Sequence, residues 1–216
     1  AEGEIHGQNG GYPIAIALSN DAVKLAVSMI NINEGSVKST IAFYNYGTVG
    51  QNEIDHCVGV NNYDDMVIPE MEFTSNDRMV AFGDTKAVIF EGAQKPQAIA
   101  EIPMDEKTKS IFYNEHYIGI VTGNEDEAVT NHLAVYDENG KLVMEKDFGL
   151  DYSSIEFLTN NEICIRNANV CDIYTVHGVY KFHHEFEEEL FEIIPGKLKL
   201  NYTLVLKDTT QRIRLK

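Results

Sequence analysis

The sequence predicts an all-β protein made of β-propeller-like repeats, and three observations lead there. Short runs rich in Val, Ile, Leu and aromatic residues are separated by Asn, Asp and Gly. A polar corner recurs between successive runs, and the corners return at intervals of 38 to 56 residues. Four-stranded blades need about that period. A single blade cannot cover both of its own faces, so near-copies stack and shelter one another.

The runs are short and β-rich. They include Ile14 to Leu18, Lys24 to Met29, Ser39 to Tyr44, Met79 to Phe82, Ala87 to Phe90, Tyr117 to Val121, His132 to Tyr136 and Glu162 to Ile165. Asn201 to Leu206 and Gln211 to Leu215 close the chain. Asn, Asp and Gly between runs tolerate the positive φ of tight hairpins, and Asp137-Glu138-Asn139-Gly140 is the clearest such turn. From Phe182 to Ile194 the spacing fits either a helix or one parity of an extended chain, and the extended reading is preferred.

The corner appears at Ser19-Asn20-Asp21, Ser75-Asn76-Asp77, Asn114-Glu115 and Asn160-Asn161-Glu162. Four antiparallel blades and a partial fifth follow, at approximately 12–66, 67–105, 106–150, 151–196 and 197–216, as one domain over 1–216. The long first interval leaves Asn45 to Ile68 as an insertion or a connection between blades. The set makes either a small propeller or an arc of a larger one. A β-sandwich also has short strands and turns, but it does not predict a recurring corner.

Thirty-four acidic against 17 basic side chains give a formal net charge of −17. That excess opposes nucleic acid and anionic membrane surfaces, both of which call for clustered Lys and Arg. With 44% hydrophobic residues there is material for a core. No apolar run is long enough to span a bilayer as a helix. The chain begins Ala1-Glu2-Gly3-Glu4 and reads as a trimmed or processed piece, so a signal or anchor would lie upstream.

Cys57, Cys164 and Cys171 form no metal-type CxxC pair. A hairpin turning at Asn167-Ala168 would set Cys164 opposite Cys171, where either a disulfide or two buried free thiols would fit. A two-residue turn puts that pair at the less favourable, hydrogen-bonded position, and a four-residue turn reverses the parity. Cys57 has no evident mate.

Ser19-Asn20-Asp21, Phe43-Tyr44-Asn45-Tyr46-Gly47, Ile68-Pro69, Phe82-Gly83-Asp84, Ser110 to Glu115 with Tyr117-Ile118-Gly119, Tyr136-Asp137 with Gly140, Gly178 with Lys181-Phe182, and Ile213 to Lys216 share a resemblance. They resemble an uncharacterised bacterial family, a domain of unknown function with propeller-like repeats of WD40 or quinoprotein type. The resemblance covers most of the chain and corresponds to the C-terminal half to two-thirds of a member. It implies further blades, an N-terminal membrane helix upstream and a location outside the cell. It carries over no catalytic residue.

A nucleophile elbow, a P-loop, a dinucleotide-binding glycine motif and HExxH are all absent from the sequence. His183 and His184 would point to opposite faces of a strand, so they read as ordinary residues and not as metal ligands. Glu125-Asp126-Glu127 and Glu187-Glu188-Glu189 lack the acidic spacing of a calcium loop. No cofactor is implied. The recurring acids Asp77, Asp84, Glu115 and Glu162 read as residues that cap turns. Tyr46 and Tyr113 are the aromatic residues chosen as candidates for ligand contact; the other strand aromatics read as packing between blades.

These readings converge on a non-catalytic, exported interaction module whose loops face a protein or carbohydrate partner, with no direct membrane contact from this segment. The alternatives are an exported carbohydrate-active enzyme with carboxylates in a propeller-centre pocket, and a structural spacer.

Overall fold

Strands form wherever short apolar runs meet polar corners. In the computed structural model the described residues are 10–33, 35–45, 57–123 and 131–215. The first sheet is β1 (Tyr12–Leu18), β2 (Lys24–Asn33), β3 (Ser36–Asn45) and β4 (Cys57–Asp64), in that order. The second is β5 (Glu70–Ser75), β6 (Arg78–Phe82), β7 (Lys86–Glu91) and β8 (Gln97–Pro103). The third is β9 (Thr108–Tyr113), β10 (Tyr117–Gly123), β11 (Asn131–Asp137) and β12 (Leu142–Phe148). The fourth is β13 (Ser154–Phe157), β14 (Glu162–Asn167), β15 (Val170–Thr175) and β16 (Tyr180–Glu185). The fifth has three strands, β17 (Leu190–Pro195), β18 (Asn201–Leu206) and β19 (Thr210–Arg214). Every pairing is antiparallel between strands adjacent in sequence.

The chain, read from sequence as one domain, divides into two compact units, 1–106 and 107–216. In the first unit β1 packs on β5, and Ala17, Ile41 and Phe43 meet Met71, Met79 and Phe90. The Phe43 and Phe90 rings lie 5.2 Å apart at 60°, a tilted contact that adds to the burial of both faces. In the second unit β9 packs on β13. The Phe112 and Phe157 rings meet there at 4.6 Å with a 42° tilt, while Cys171 and Ile173 face Tyr202 and Leu204 of the fifth sheet. Along β18 the parity is plain: Tyr202, Leu204 and Leu206 are buried and the residues between them are half-exposed.

The corners hold as turns. Asp137 Oδ1 accepts from the Asn139 and Lys141 amides, both at 2.9 Å, and Gly140 takes φ +74° as that hairpin requires. Asn114 Oδ1 accepts from the His116 and Tyr117 amides, both at 2.9 Å. Ser19 donates to Asp21 at 2.6 Å; this bond and the Val23 amide hold the Asp21 carboxyl below its ordinary pKa.

One connection and one boundary differ from the sequence reading. The stretch Asn45 to Ile68 holds β4, the fourth strand of the first sheet. The fourth sheet ends at Glu185, because Leu190–Pro195 pairs with β18 and opens the fifth sheet in place of a start at 197. The ambiguous segment is extended: β16 and β17 lie on either side of a short connection at 186–189.

Candidate functional site

A recess of about 520 Å³ lies in the second unit, where the turn before β14, strand β16 and the β17–β18 loop converge. Asn160, Glu162 and Lys181 line one side; Gly196 to Asn201 line the other. The loop is built locally. Gly196 N donates to Asn201 O at 2.7 Å, Asn201 N donates to Leu198 O at 3.2 Å, and Leu200 takes φ +65°. A β-carbon on Gly196 would stand 3.1 Å from Asn201 O, so a bare glycine suits this return. The loop therefore holds Lys197, Leu198 and Lys199 outward, with Leu198 74% exposed.

The buried side of the recess is a charge network. Glu162 is 8% exposed and engages both carboxylate oxygens: Lys181 Nζ donates to Oε1, and Tyr202 OH donates to Oε2 at 2.5 Å. Lys181 also donates to Tyr202 OH at 3.3 Å. Burial works against the Lys181 ammonium, but the Glu162 and Tyr202 bonds outweigh it and leave its pKa raised. Burial, then the neighbouring Glu162 carboxylate, pushes the Tyr202 phenol up. These donors take two of the four lone-pair positions of the Glu162 carboxylate, and the Lys181 ammonium balances its charge. Lys197 and Lys199 make no ion pair among the described residues.

A second, shallower recess of about 340 Å³ lies between Asn114-Glu115-His116 and Phe157 to Asn161. There Asn114 Nδ2 donates to Asn161 Oδ1 at 2.8 Å.

The sequence candidates fall as follows. Tyr46 lies outside the described residues. Tyr113 is half-buried at the end of β9, paired with Ile118, and lines neither recess. Cys164 and Cys171 are buried free thiols with Sγ atoms 3.6 Å apart. The hairpin turns at Ala168-Asn169, one residue later than the turn considered from sequence, with Ala168 at φ +45°. Cys164 therefore pairs with Ile173 and Cys171 with Arg166, so the thiols are diagonal neighbours on one face instead of opposed residues. His183 bonds Asp172 at 2.7 Å, whereas His184 lies against the Phe182 and Phe186 rings. Of the recurring acids, Asp84 accepts the Val67 amide at 3.1 Å and so ties the turn after β6 to the connection before β5, in place of capping its own turn. Asp77 instead pairs with Lys24 of the first sheet, and Glu162 with Lys181 and Tyr202. Sequence reasoning missed Lys181, Tyr202, Lys197 and Lys199. The available signal was charge position: residues 193–216 hold six of the 17 basic side chains and one of the 34 acidic ones.

Four-stranded antiparallel sheets repeating along the chain, each with a polar turn between its first two strands, define a protein of β-propeller type. The chain belongs to DUF5711, a family of unknown function, which matches residues 1–215. No curated protein matches it. Among solved structures it is similar to the β-propeller domain of the Trilobed protease from Pyrococcus furiosus, described as having an open velcro topology. The TM-score is 0.53 at 9% identity, over 94% of this chain and 70% of that one. It is also similar to the AfRom2 CNH domain, with TM-score 0.50 and 11% identity over 96% of this chain and 69% of that one. A HIRA fragment (644–1017) matches with TM-score 0.49 at 12% identity, over 79% of this chain. The chain spans 56% of that fragment's length.

Proposed function

We propose that this chain is a non-catalytic, exported interaction module that receives a protein or carbohydrate partner at the β17–β18 loop and the recess beneath it. One observation carries the reading. Among the described residues Glu162 is the only carboxylate lining that recess, and Lys181 and Tyr202 hold it, while Lys197, Leu198 and Lys199 stand exposed at the rim. A rigid, internally neutralised floor under a mixed apolar and cationic rim supports recognition, because the rim can be desolvated by a partner and the floor need not rearrange. The exported location rests on the resemblance drawn from the sequence, which implies a membrane helix upstream and a place outside the cell. Nucleic acid and direct membrane contact are not part of the proposal.

The test is a binding screen of the 216-residue chain against peptide and oligosaccharide arrays, alongside chromogenic glycoside hydrolysis. Saturable binding that Leu198→Asp and Lys199→Glu reduce, without turnover, is the expected result. Turnover that Glu162→Gln abolishes would establish the carbohydrate-active alternative instead. Export has its own readout. In an oxidising compartment Cys164 and Cys171 would pass two electrons and two protons to a protein disulfide oxidant and bridge. The chain isolated from its native cells should then be two mass units lighter than its fully reduced form, to which the reduced thiols would keep it equal.

A further inference from the structure

At two of its corners the chain supplies its own ammonium to the corner acid. Between the first and second sheets Lys24, the first residue of β2, pairs with Asp77 and donates to Asn76 O. Where the fourth sheet meets the fifth, Lys181 pairs with Glu162. The gap between the third and fourth sheets differs. Its turn is closed as the first one is: Asn114 N donates to Tyr117 O at 3.0 Å and the Tyr117 amide donates back to Asn114 Oδ1. In the first sheet Ser19 N donates to Lys24 O at 3.0 Å and the Lys24 amide donates back to Ser19 Oγ. Tyr117 therefore stands in the place of Lys24, and it brings a ring, 5.9 Å from that of Phe157, where the first sheet brings a charge.

The acid of that gap has no such partner. Glu115, exposed on the turn, makes no hydrogen bond or ion pair among the described residues. His116 beside it meets Glu138 at 3.5 Å instead. Glu115 lines the recess of about 340 Å³ together with Phe157, Leu158 and Asn161. The third and fourth sheets, each of four strands, frame this recess, so both of its walls lie within the described residues. Its lining suits a primary ammonium on an alkyl stem. The Glu115 carboxylate supplies the charge, and Asn161 Oδ1 has a second lone pair beside the one that takes Asn114 Nδ2. The half-buried Phe157 ring and Leu158 offer apolar surface to the stem. The frame is already set, because Asn114 bonds Asn161, His116 and Tyr117 and so holds the two turns together.

We infer that this recess receives a lysine side chain from a protein partner, whose ammonium takes at Glu115 the place that Lys24 holds at Asp77. Lysine is what the chain itself uses at both other corners, and its three divergent N–H donors can reach oxygens on two different turns. The net charge of −17 favours the approach of a basic partner. This inference does not depend on the recess beneath the β17–β18 loop.

The probe is Nα-acetyl-lysine methylamide, titrated into the isotope-labelled 216-residue chain and followed by its backbone amide NMR shifts. The uncharged norleucine analogue is the control. The lysine probe should shift the amides of 115–117 and 157–161 saturably, with a Kd of about 1–10 mM for one charged side chain. The norleucine probe should leave them in place. Glu115→Gln should weaken binding at least about fivefold. Tyr117→Lys, which restores an internal ammonium at the place of Lys24, should also exclude the probe. The amide spectrum shows whether each variant folds, and Glu115→Gln decides alone if Tyr117→Lys does not. Equal response to the two probes, indifference to either substitution in a folded variant, shifts confined to 196–201, or no saturable shift would each overturn the inference. So would binding of free cadaverine without binding of the capped lysine, which would make the ligand a free amine and not a protein side chain.

Discussion

Asn114 Nδ2 donates to Asn161 Oδ1 at 2.8 Å and joins the first turn of the third sheet to the first turn of the fourth. The first unit uses the same device: the Asp21 amide donates to Asn76 Oδ1 at 3.0 Å, and Lys24 pairs with Asp77 beside it. The recurring polar corner therefore serves two purposes, closing its own turn and bonding the next one.

Asn114→Ala removes the bond to Asn161 and the caps on His116 and Tyr117 together. It should lower unfolding free energy by about 1–3 kcal/mol. Asn161→Gly deletes only the cross-sheet bond and relieves a φ of +61°, so its loss should be smaller. Urea unfolding of both variants checks the order, and equal losses would mean that the corner-to-corner bond is not the lesser part.

Lys181→Met leaves Glu162 with one partner in a largely buried position and should cost about 2 kcal/mol. Glu162→Leu combined with Lys181→Met should cost less than the two single changes added, because no charge is then stranded. A double-mutant cycle from denaturant unfolding measures the coupling, and strict additivity would show the pair to be energetically idle.

Gly119 pairs directly with Phe112 across β9 and β10, and a β-carbon there would stand 2.2 Å from the ring. Gly119→Ala must displace a ring that packs at a tilt against Phe157, so about 1–3 kcal/mol of destabilisation is expected. Gly119→Ala with Phe112→Leu should recover part of that loss in Tm. Failure of the second change to help would place the clash elsewhere.

Burial, then the Glu101 carboxylate, pushes the Tyr63 phenol up to about 12. Tyr202 and Lys181 are raised as well. A raised folded-state pKa means that the unfolded chain gives up its proton first. These groups stabilise fully below about pH 10, and that contribution drains away as the pH climbs through their folded values. Tm should therefore fall between pH 10 and 12, with tyrosinate absorbance rising late, and Tyr63→Phe should flatten the slope. An unchanged slope in that variant would assign the loss to the other groups.

The strands were readable one by one because period-2 burial and turn chemistry are local. Asp137 to Gly140 needs only its own backbone to form, and Tyr202, Leu204 and Leu206 show their buried face in the order of residues alone. The site was not readable in the same way. Glu162 looks in sequence like one more corner acid, and its partners lie 19 and 40 residues further on, on strands whose placement depends on packing.

The amino-acid order by itself determined the sheet-forming segments, the residue types at their corners and the charge excess. Tertiary structure alone decided that Leu190–Pro195 joins the fifth sheet, that the 167–170 hairpin turns one residue later and sets the cysteines diagonally, and that Glu162 meets Lys181 and Tyr202. The reason is physical. Backbone preference and alternation act over a few neighbouring residues, whereas register and ion pairing are settled by which faces of neighbouring sheets can be buried together.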